Sequence, residues 1–182
     1  MGEFLTKQLN KIRSEFLDDW EIPNFYINFF CGKKSKYCVV IPVINEGDRI
    51  KIFIKRLKEI NIDKVADILI IDGGSTDNSL DQKKLKEFGV NCQLTKIDKG
   101  KLSSQLRIAY AFALISGYEG IITIDGNNKD DPSTIKEFIF LLQKGYDFIQ
   151  ASRFIKGGSH RNTPLIRYLA IRFIHAPLLS IS

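Results

Sequence analysis

The sequence lacks the marks of several common protein classes. It contains only three cysteines, Cys31, Cys38 and Cys92, and no CxxC pair among its 182 residues. An odd cysteine count without that spacing argues against a disulfide framework and a zinc site, and indicates buried free thiols in a reducing compartment. No charge-free apolar run nears the roughly 18 residues that a membrane-spanning helix needs, and no signal-peptide pattern opens the chain. We therefore expect a cytoplasmic protein.

The familiar nucleotide-binding and catalytic motifs are missing as well. A P-loop would need a glycine six residues before Lys101, where Thr95 stands, and no GxGxxG follows the first predicted strand. Neither HExxH nor GxSxG occurs, and His160 and His175 stand alone. These absences disfavour a P-loop protein and a dinucleotide-binding Rossmann domain, and isolated histidines are more often surface or capping residues than catalysts.

Charge and apolar content are those of a globular protein with anionic partners. Lysine and arginine number 27 against 21 aspartates and glutamates, which gives a net charge of +6, and 44% of the residues are apolar. A basic protein attracts nucleotides, phosphorylated lipids, membrane surfaces or nucleic acid. Nucleic acid is the weak candidate, because the basic residues are dispersed and no nucleic-acid-binding motif is present.

The N-terminal residues differ from the rest of the chain. They combine apolar residues at helical spacing with an aromatic cluster that includes Trp20 and Phe25. We predict an N-terminal helical extension over residues 1–35, followed by one main domain over residues 36–182. The extension either packs on that domain or binds a membrane or a partner.

From Tyr37 onward, short β-branched runs alternate with segments of helical periodicity. The predicted strands cover residues 38–41, 68–71, 92–97, 121–124 and 146–151, and predicted helices lie between them and over residues 165–174. Helix signals include Asp131 before Pro132 at a helix start and Gly89 at a helix end. Such alternation predicts an α/β fold in which helices cover both faces of a mostly parallel sheet.

Charged residues follow the predicted strands at the point where each strand ends. Asp72, Lys101, Asp125 and Arg153 all fall there, and several glycines accompany them. In open parallel sheets, ligands bind beyond the carboxyl ends of the strands. Carboxylates, cations and glycine-lined backbone together suit a metal-bound, phosphorylated ligand.

Four motifs at these strand ends resemble those of family-2 glycosyltransferases with the GT-A fold. Residues 41–46 are similar to an I-P-x-x-N-E opening, and residues 71–77 resemble a V-D-D-G-S-x-D turn. Residues 124–127 occupy the place of a metal-binding D-x-D, and residues 151–154 resemble a G-S-R-F segment. The last segment is typical of polyprenyl-phosphate glycosyltransferases such as dolichyl-phosphate mannose synthases. The resemblance implies a nucleotide-diphospho-sugar transferase.

The resemblance implies a role for each residue that matches a motif. Pro42 and Glu46 would line the nucleotide pocket, and Asp72 would hydrogen-bond the base or the ribose. Asp125 and Asn127 would hold Mg²⁺ or Mn²⁺ against the diphosphate. The full set of implied nucleotide-sugar-binding residues is Pro42, Glu46, Asp72, Lys101, Asp125 and Gly126. Structural roles stay open, since Asp72 could complete a turn, Asp77 could cap the next helix, and Lys99 and Lys101 could be solvated.

The chain departs from the family pattern at two positions. Gly73 replaces the second aspartate of D-D-G-S, and Asn127 replaces the second aspartate of D-x-D. An amide oxygen is a poorer ligand for a hard cation than a carboxylate, so we expect weaker metal binding. Asp130 and Asp131 could compensate in part, although Asp131 is better placed as a helix cap. The alternative to an active enzyme is a degenerate or truncated domain that binds nucleotide or a protein partner without catalysis.

A basic and apolar stretch near the C-terminus suggests the acceptor. Arg153, Arg161 and Arg167 are threaded with leucine, isoleucine and phenylalanine, which suits a polyprenyl phosphate at the inner face of a membrane. An ionised phosphate could attack the sugar directly, with inversion and without a strong base. A hydroxyl acceptor would need a base, which related enzymes supply from a segment beyond Ser182, so the catalytic residues stay unknown. Alternatively, residues 165–174 form a core helix with its arginines pointing outward.

The chain also ends earlier than the family pattern. GT-A glycosyltransferases of this type carry further strands and helices that complete the acceptor pocket, so we expect a C-terminally shortened domain. Apolar surface exposed by that shortening would favour a homodimer.

Overall fold

The computed structural model describes residues 21–152 and 164–175, which fall into two units that divide between Asp147 and Phe148. The strands of the first unit are β1 Phe25–Phe30, β2 Tyr37–Val43, β3 Asp67–Asp72, β4 Val90–Lys96 and β5 Gly120–Thr123. Its helices are α1 Asp48–Glu59, α2 Gln82–Glu87, α3 Leu102–Ile115 and α4 Thr134–Gln143, with a 3₁₀ turn at Ile62–Lys64. The second unit contains α5 Leu165–Ala170, which continues into a π-helical turn at Ile171–His175.

The five strands form one sheet in the order β1-β4-β3-β2-β5. β4, β3, β2 and β5 run parallel, and β1 pairs antiparallel with β4. β2 and β3 are buried along almost their whole length, as a parallel strand covered on both faces requires. The predicted α/β fold with a mostly parallel sheet is confirmed.

Helices cover both faces of the sheet, as predicted. The helical core residues on the first face are Ile50, Phe53, Ile54 and Leu57 of α1, Leu85 of α2, and Ile135 and Ile139 of α4. On the opposite face, α3 packs Ile108, Ala109 and Phe112 on the sheet. Because side chains alternate along a strand, β2 and β3 contribute apolar residues to both of these clusters.

The order of the strands creates a reversal beside β2. From β2 the chain adds β3 and then β4 in one direction, and α3 then leads it back across the sheet to place β5 on the other side of β2. The point of reversal therefore lies between β2 and β5. In open α/β sheets this switch point is where ligands bind, beyond the carboxyl ends of the strands.

The predicted N-terminal helical extension is wrong over its described part. Residues 25–30 form β1, and residues 1–20 lie outside the described residues. As a strand, this segment buries Phe29 in the core of one sheet face and Phe30 in the core of the other. A single helical stripe could not serve two opposite faces of a sheet, so burial of the aromatic cluster favours the strand.

The strand predicted over residues 146–151 does not form. Tyr146 is 58% exposed and Phe148 is 83% exposed. A strand of a sheet covered on both faces must bury its apolar side chains, and this segment buries too little of them.

Two helices begin later than predicted. α2 begins at Gln82, because the Asp81 carboxylate accepts a hydrogen bond of 2.8 Å from the Lys84 N–H and so caps it. Asp77, the expected cap, instead accepts a hydrogen bond of 2.8 Å from the Gly47 N–H. α4 begins at Thr134, after the turn made by Asp131.

The second unit exposes apolar side chains. Leu165 is 69% exposed and Ile166 is 83% exposed on α5, which is not the pattern of a core helix. Arg167 falls within α5, whereas Arg153 and Arg161 lie outside the described residues. Throughout residues 21–152 and 164–175, no helix has the length and apolar character needed to cross a membrane.

The three cysteines differ in their surroundings, which yields a test of the fold. The predicted burial is confirmed for Cys38 and Cys92, which lie in the sheet, and is wrong for Cys31, which is exposed because it follows the end of β1. Burial raises the pKa of the Cys38 thiol to about 12 and also raises that of Cys92 well above its usual value. We expect one thiol per native chain to react with Ellman's reagent near about pH 8, because the thiolate is the reactive form, and three to react in urea. Fast reaction of all three in the native protein would contradict this packing.

Candidate functional site

Two loops meet at the carboxyl edge of the sheet, where the sequence places the candidate ligand site. They follow β2 and β3 and span residues 44–47 and 73–77. Asn45 joins them, because its N–H donates to Ser75 Oγ at 3.0 Å and its Oδ1 accepts from the Thr76 N–H at 2.8 Å. Asn45 has a φ of 50°, a left-handed conformation that asparagine adopts more readily than most residues. The two motifs recognised in sequence therefore form one hydrogen-bonded surface.

Pro42 marks the place where β2 and β5 stop pairing. The last pair in register is Val40 with Thr123, after which the Ile124 N–H still donates to the Val40 carbonyl at 3.1 Å. Residues two apart in a strand point their N–H and C=O groups toward the same neighbouring strand, so the backbone of Pro42, like that of Val40, faces β5. Proline has no N–H, so Pro42 cannot donate the next hydrogen bond of the ladder. The carboxyl ends of β2 and β5 are therefore left unpaired at the switch point of the sheet.

The turn after β5 approaches β2 closely at Gly126, which is buried. A Cβ at this position would lie 3.1 Å from Val43 Cγ2 and 3.1 Å from Ile50 Cδ1. These distances are shorter than ordinary carbon–carbon contact, so a side chain would push the turn away from the sheet. Glycine at position 126 therefore allows Asp125 and Asn127 to lie beside the end of β2.

Asp72 is 6% exposed at the end of β3 and completes the turn that follows it. Its Oδ1 accepts hydrogen bonds from the Gly74 N–H at 3.1 Å and the Ser75 N–H at 2.7 Å. Its Oδ2 lies 3.4 Å from Thr95 Oγ1 on β4. The turn role that the sequence left open is therefore present, and contact between Asp72 and a nucleotide stays a prediction.

Asp125 and Asn127 interact with each other after β5. Asn127 Nδ2 donates to Asp125 Oδ2 at 3.0 Å, and Asn127 Oδ1 accepts from the Lys129 N–H at 3.0 Å. Asp125 is exposed and Asn127 is half-buried. Across the part of the chain that the structure describes, no group of three or more histidine, cysteine, aspartate or glutamate side chains could hold a metal. Metal binding would rest on this pair and on the ligand's own oxygens.

Asp131 accepts two hydrogen bonds in the turn that precedes α4, and a contact between it and a metal stays a prediction. Its Oδ1 accepts from the Ser133 N–H at 3.0 Å and its Oδ2 from Ser133 Oγ at 2.8 Å. These two hydrogen bonds lower the pKa of the Asp131 carboxyl. The prediction that Asp131 caps the helix is wrong, because the N-cap residue of α4 is Ser133 and Asp131 instead closes the turn before it.

Two other predicted site residues are Glu46, within the loop after β2, and Lys101, at the start of α3. Glu46 is mostly buried, and its Oε2 lies 2.9 Å from Arg49 Nη2 at the start of α1. Lys101 is exposed where α3 begins. Contact of either with a phosphorylated ligand stays a prediction.

Sequence reasoning missed Gln105, which lies in α3 and is 4% exposed. Its Nε2 donates to the Val43 carbonyl at 2.9 Å and to the Ile71 carbonyl at 2.7 Å, and so links the ends of β2 and β3. A Cβ at Gly73 would lie 3.1 Å from Gln105 Nε2 and 3.2 Å from Ile44 Cβ. Gln105 therefore leaves little room for a side chain at position 73, where the family pattern has its second aspartate and this chain has glycine. The sequence did offer one signal of this role, because Gln105 lies on the apolar side of a helical pattern, where a polar side chain needs a hydrogen-bond partner.

Comparisons with known proteins relate this chain to one family. The family model described as Glycosyl transferase family 2 matches residues 38–178. A putative glycosyltransferase, CsbB of Bacillus subtilis, is 29% identical over 134 residues, which cover 70% of this chain and 39% of that protein. An undecaprenyl-phosphate 4-deoxy-4-formamido-L-arabinose transferase of Yersinia enterocolitica is 29% identical over 149 residues, which cover 79% of this chain and 43% of that protein.

A third relative shares a similar stretch. The polyprenol monophosphomannose synthase of Mycolicibacterium smegmatis is 23% identical over 129 residues, which cover 69% of this chain and 48% of that protein. The chain thus spans less than half the length of each of these relatives. The matched residues include both loops at the carboxyl edge and the turn after β5.

Proposed function

Since the chain belongs to glycosyl transferase family 2, we propose that it moves a sugar from a UDP- or GDP-sugar to a polyprenyl phosphate, with inversion at the sugar. One observation carries the donor part of this proposal. The loops after β2 and β3 are hydrogen-bonded to each other, and Gly126 brings the turn after β5 against the end of β2. Three motif segments thereby share the edge of the sheet at which phosphorylated ligands bind.

The donor would lie across these segments. Pro42 and Glu46 would line the nucleotide pocket, and Asp72 would accept a hydrogen bond from the base or ribose. Lys101, exposed at the start of α3, would be available to the diphosphate. Pro42 lies in β2, Glu46 follows it and Asp72 ends β3, so the sheet holds most of this pocket in place, which favours pre-organised binding of the nucleotide.

A divalent cation fits the residues after β5. Mg²⁺ binds through one or two carboxylates together with substrate phosphates and water, all of them oxygen ligands. Asp125 and the amide oxygen of Asn127 supply such oxygens, and Asn127 would release Lys129 to do so. When bound, Mg²⁺ or Mn²⁺ would offset the negative charge that grows on the departing nucleoside diphosphate. With one carboxylate in the pair, we expect weak affinity for metal in the absence of nucleotide.

The acceptor proposal rests on chemistry and on the relatives' names. Two of the relatives are named for undecaprenyl phosphate or polyprenol. A phosphate acceptor is largely ionised at neutral pH, so its oxygen could attack the anomeric carbon while the bond to the nucleoside diphosphate breaks. No protein base is then needed, and the arginines at positions 153, 161 and 167 would bind the phosphate at the inner face of a membrane.

A second candidate function is nucleotide binding without transfer. It is favoured by the hydrogen bond between Asn127 Nδ2 and Asp125 Oδ2, which turns the amide nitrogen toward the place where a cation would sit. Donor hydrolysis separates the two functions, because a protein that binds without catalysis releases no nucleoside diphosphate.

The test is calorimetric titration of UDP and GDP into the protein with and without Mn²⁺. We expect one of the two nucleotides to bind with a Kd below about 1 mM in the presence of Mn²⁺, and more weakly without it. The preferred base would then be known. Absence of binding by both nucleotides would contradict the proposal.

A further inference from the structure

β1 contains one residue that has no partner in the pairing of β1 with β4. Tyr26 pairs with Thr95 and Ile27 pairs with Leu94, but the next pair along the ladder is Phe29 with Gln93. Asn28 therefore has no residue opposite it and forms a β-bulge. Bulges interrupt the ladder and re-aim a side chain, and they are frequent beside active sites.

The bulge directs Asn28 toward the candidate site. Thr95 Oγ1 lies 2.7 Å from Asn28 Oδ1 and 3.4 Å from Asp72 Oδ2. Thr95 stands opposite Asp72 in the register of β3 and β4, and the two residues are 7% and 6% exposed. Asn28, Thr95 and Asp72 thus form a chain of polar groups that runs from the edge strand to the end of β3.

A threonine hydroxyl has one proton to donate, so its two neighbours compete for it. The shorter distance assigns that proton to Asn28. Asp72 Oδ1 already accepts two backbone N–H groups of the following turn. Asp72 Oδ2 consequently keeps both of its lone pairs for a ligand, whereas those of Oδ1 are taken.

We propose that Asn28 is a positioning residue of the nucleotide site, which keeps the Thr95 hydroxyl turned away from Asp72 Oδ2. That oxygen then stays free to accept an N–H of the base or an O–H of the ribose. This inference rests on the proposed function. It also extends the site to β1, which precedes the residues 38–178 that the family model matches.

The role of Asn28 is tested by a double-mutant cycle on nucleotide affinity, with Mn²⁺ present and with whichever of UDP and GDP binds. In Asn28→Ala the hydroxyl turns to Asp72 Oδ2 and takes one of its two lone pairs, which weakens the ligand's hydrogen bond there. We expect Kd to rise about fivefold, which is at most the value of one hydrogen bond. Thr95→Val removes the competing hydroxyl, so its Kd should stay within about twofold of the original. The double variant should bind like Thr95→Val, because no hydroxyl remains to be turned.

Asn91→Ala is the matched control for the docking of β1. Asn91 Nδ2 donates to the Gly32 carbonyl at 2.9 Å, which ties down the end of β1 that is remote from Asp72. We expect this variant to lower Tm and leave Kd unchanged. The inference is overturned if Asn28→Ala binds normally, if the double variant binds as weakly as Asn28→Ala, or if Asn91→Ala weakens binding equally. A wild-type protein that binds neither nucleotide would overturn the proposed function and, with it, this inference.

Discussion

Replacing Asp125 by alanine is expected to lower sugar transfer by about 100-fold or more, because metal stabilisation of the leaving group supplies several kcal/mol. The variant should also lose the increase in nucleotide affinity that we expect Mn²⁺ to confer. Asp125 provides the one carboxylate of the Asp125–Asn127 pair, and the amide alone would hold the cation poorly. The measurements are release of nucleoside diphosphate from the donor and titration of the nucleotide with and without Mn²⁺.

Glu119→Gln is the matched control for this substitution. Glu119 precedes β5 whereas Asp125 follows it, and Glu119 makes an exposed ion pair of 3.1 Å with Lys36. Removing that negative charge should leave transfer and Mn²⁺-dependent binding unchanged. Retention of Mn²⁺-dependent binding in Asp125→Ala would refute the assigned metal role.

The largest expected effect on stability comes from Asp67, at the opposite end of the sheet from the candidate site. Asp67 is 4% exposed, and its Oδ2 accepts from the Lys34 N–H at 2.7 Å, the Ser35 N–H at 3.2 Å and the Tyr118 hydroxyl at 2.8 Å. Burial, together with the hydrogen bond to Asp67, raises the pKa of Tyr118 far above its usual value, so its hydroxyl remains a donor. Asp67→Ala leaves these donors without an acceptor, and we expect a loss of about 3 kcal/mol in the free energy of unfolding.

Urea unfolding measures this effect, and two other variants calibrate it. Tyr118→Phe removes one of the three donors and keeps the carboxylate, so a loss of about 1 kcal/mol is expected. Glu119→Gln removes an exposed ion pair and should change stability by less than about 0.5 kcal/mol. If Asp67→Ala unfolds within about 1 kcal/mol of the original protein at an unchanged m-value, the carboxylate does not have this structural role.

The central strands and their loops could be predicted because local pattern and tertiary role coincide there. The run Cys38–Ile41 is β-branched and uncharged, and burial on both faces of β2 leaves few alternatives for such a run. Asp72 and Asp125 could be placed at one edge of the sheet since parallel strands end on the same side. Their identity as strand-end residues follows from sequence alone.

Three other features could not be predicted, each for a different physical reason. In β1, the bulge at Asn28 breaks the period of two, so Phe29 and Phe30 read as an aromatic cluster without strand alternation. Residues 146–151 have the composition of a strand but remain exposed, and exposure is decided by tertiary packing. Gln105 binds carbonyl groups of β2 and β3, contacts that periodicity within α3 does not reveal.

The return of the chain from β4 to β5 also sets the order in which the candidate site can assemble. Residues that pair between β2 and β3 are about 30 positions apart in the sequence. Residues that pair between β2 and β5 are about 80 positions apart. Pairing β5 with β2 costs more chain entropy than pairing β3 with β2. The hydrogen bonds that offset this cost come from a strand of only four residues. We therefore expect the half of the site that holds Asp125 to form last and to open first. A ligand that contacts both Asp72 and Asp125 would therefore stabilise the pairing of β2 with β5.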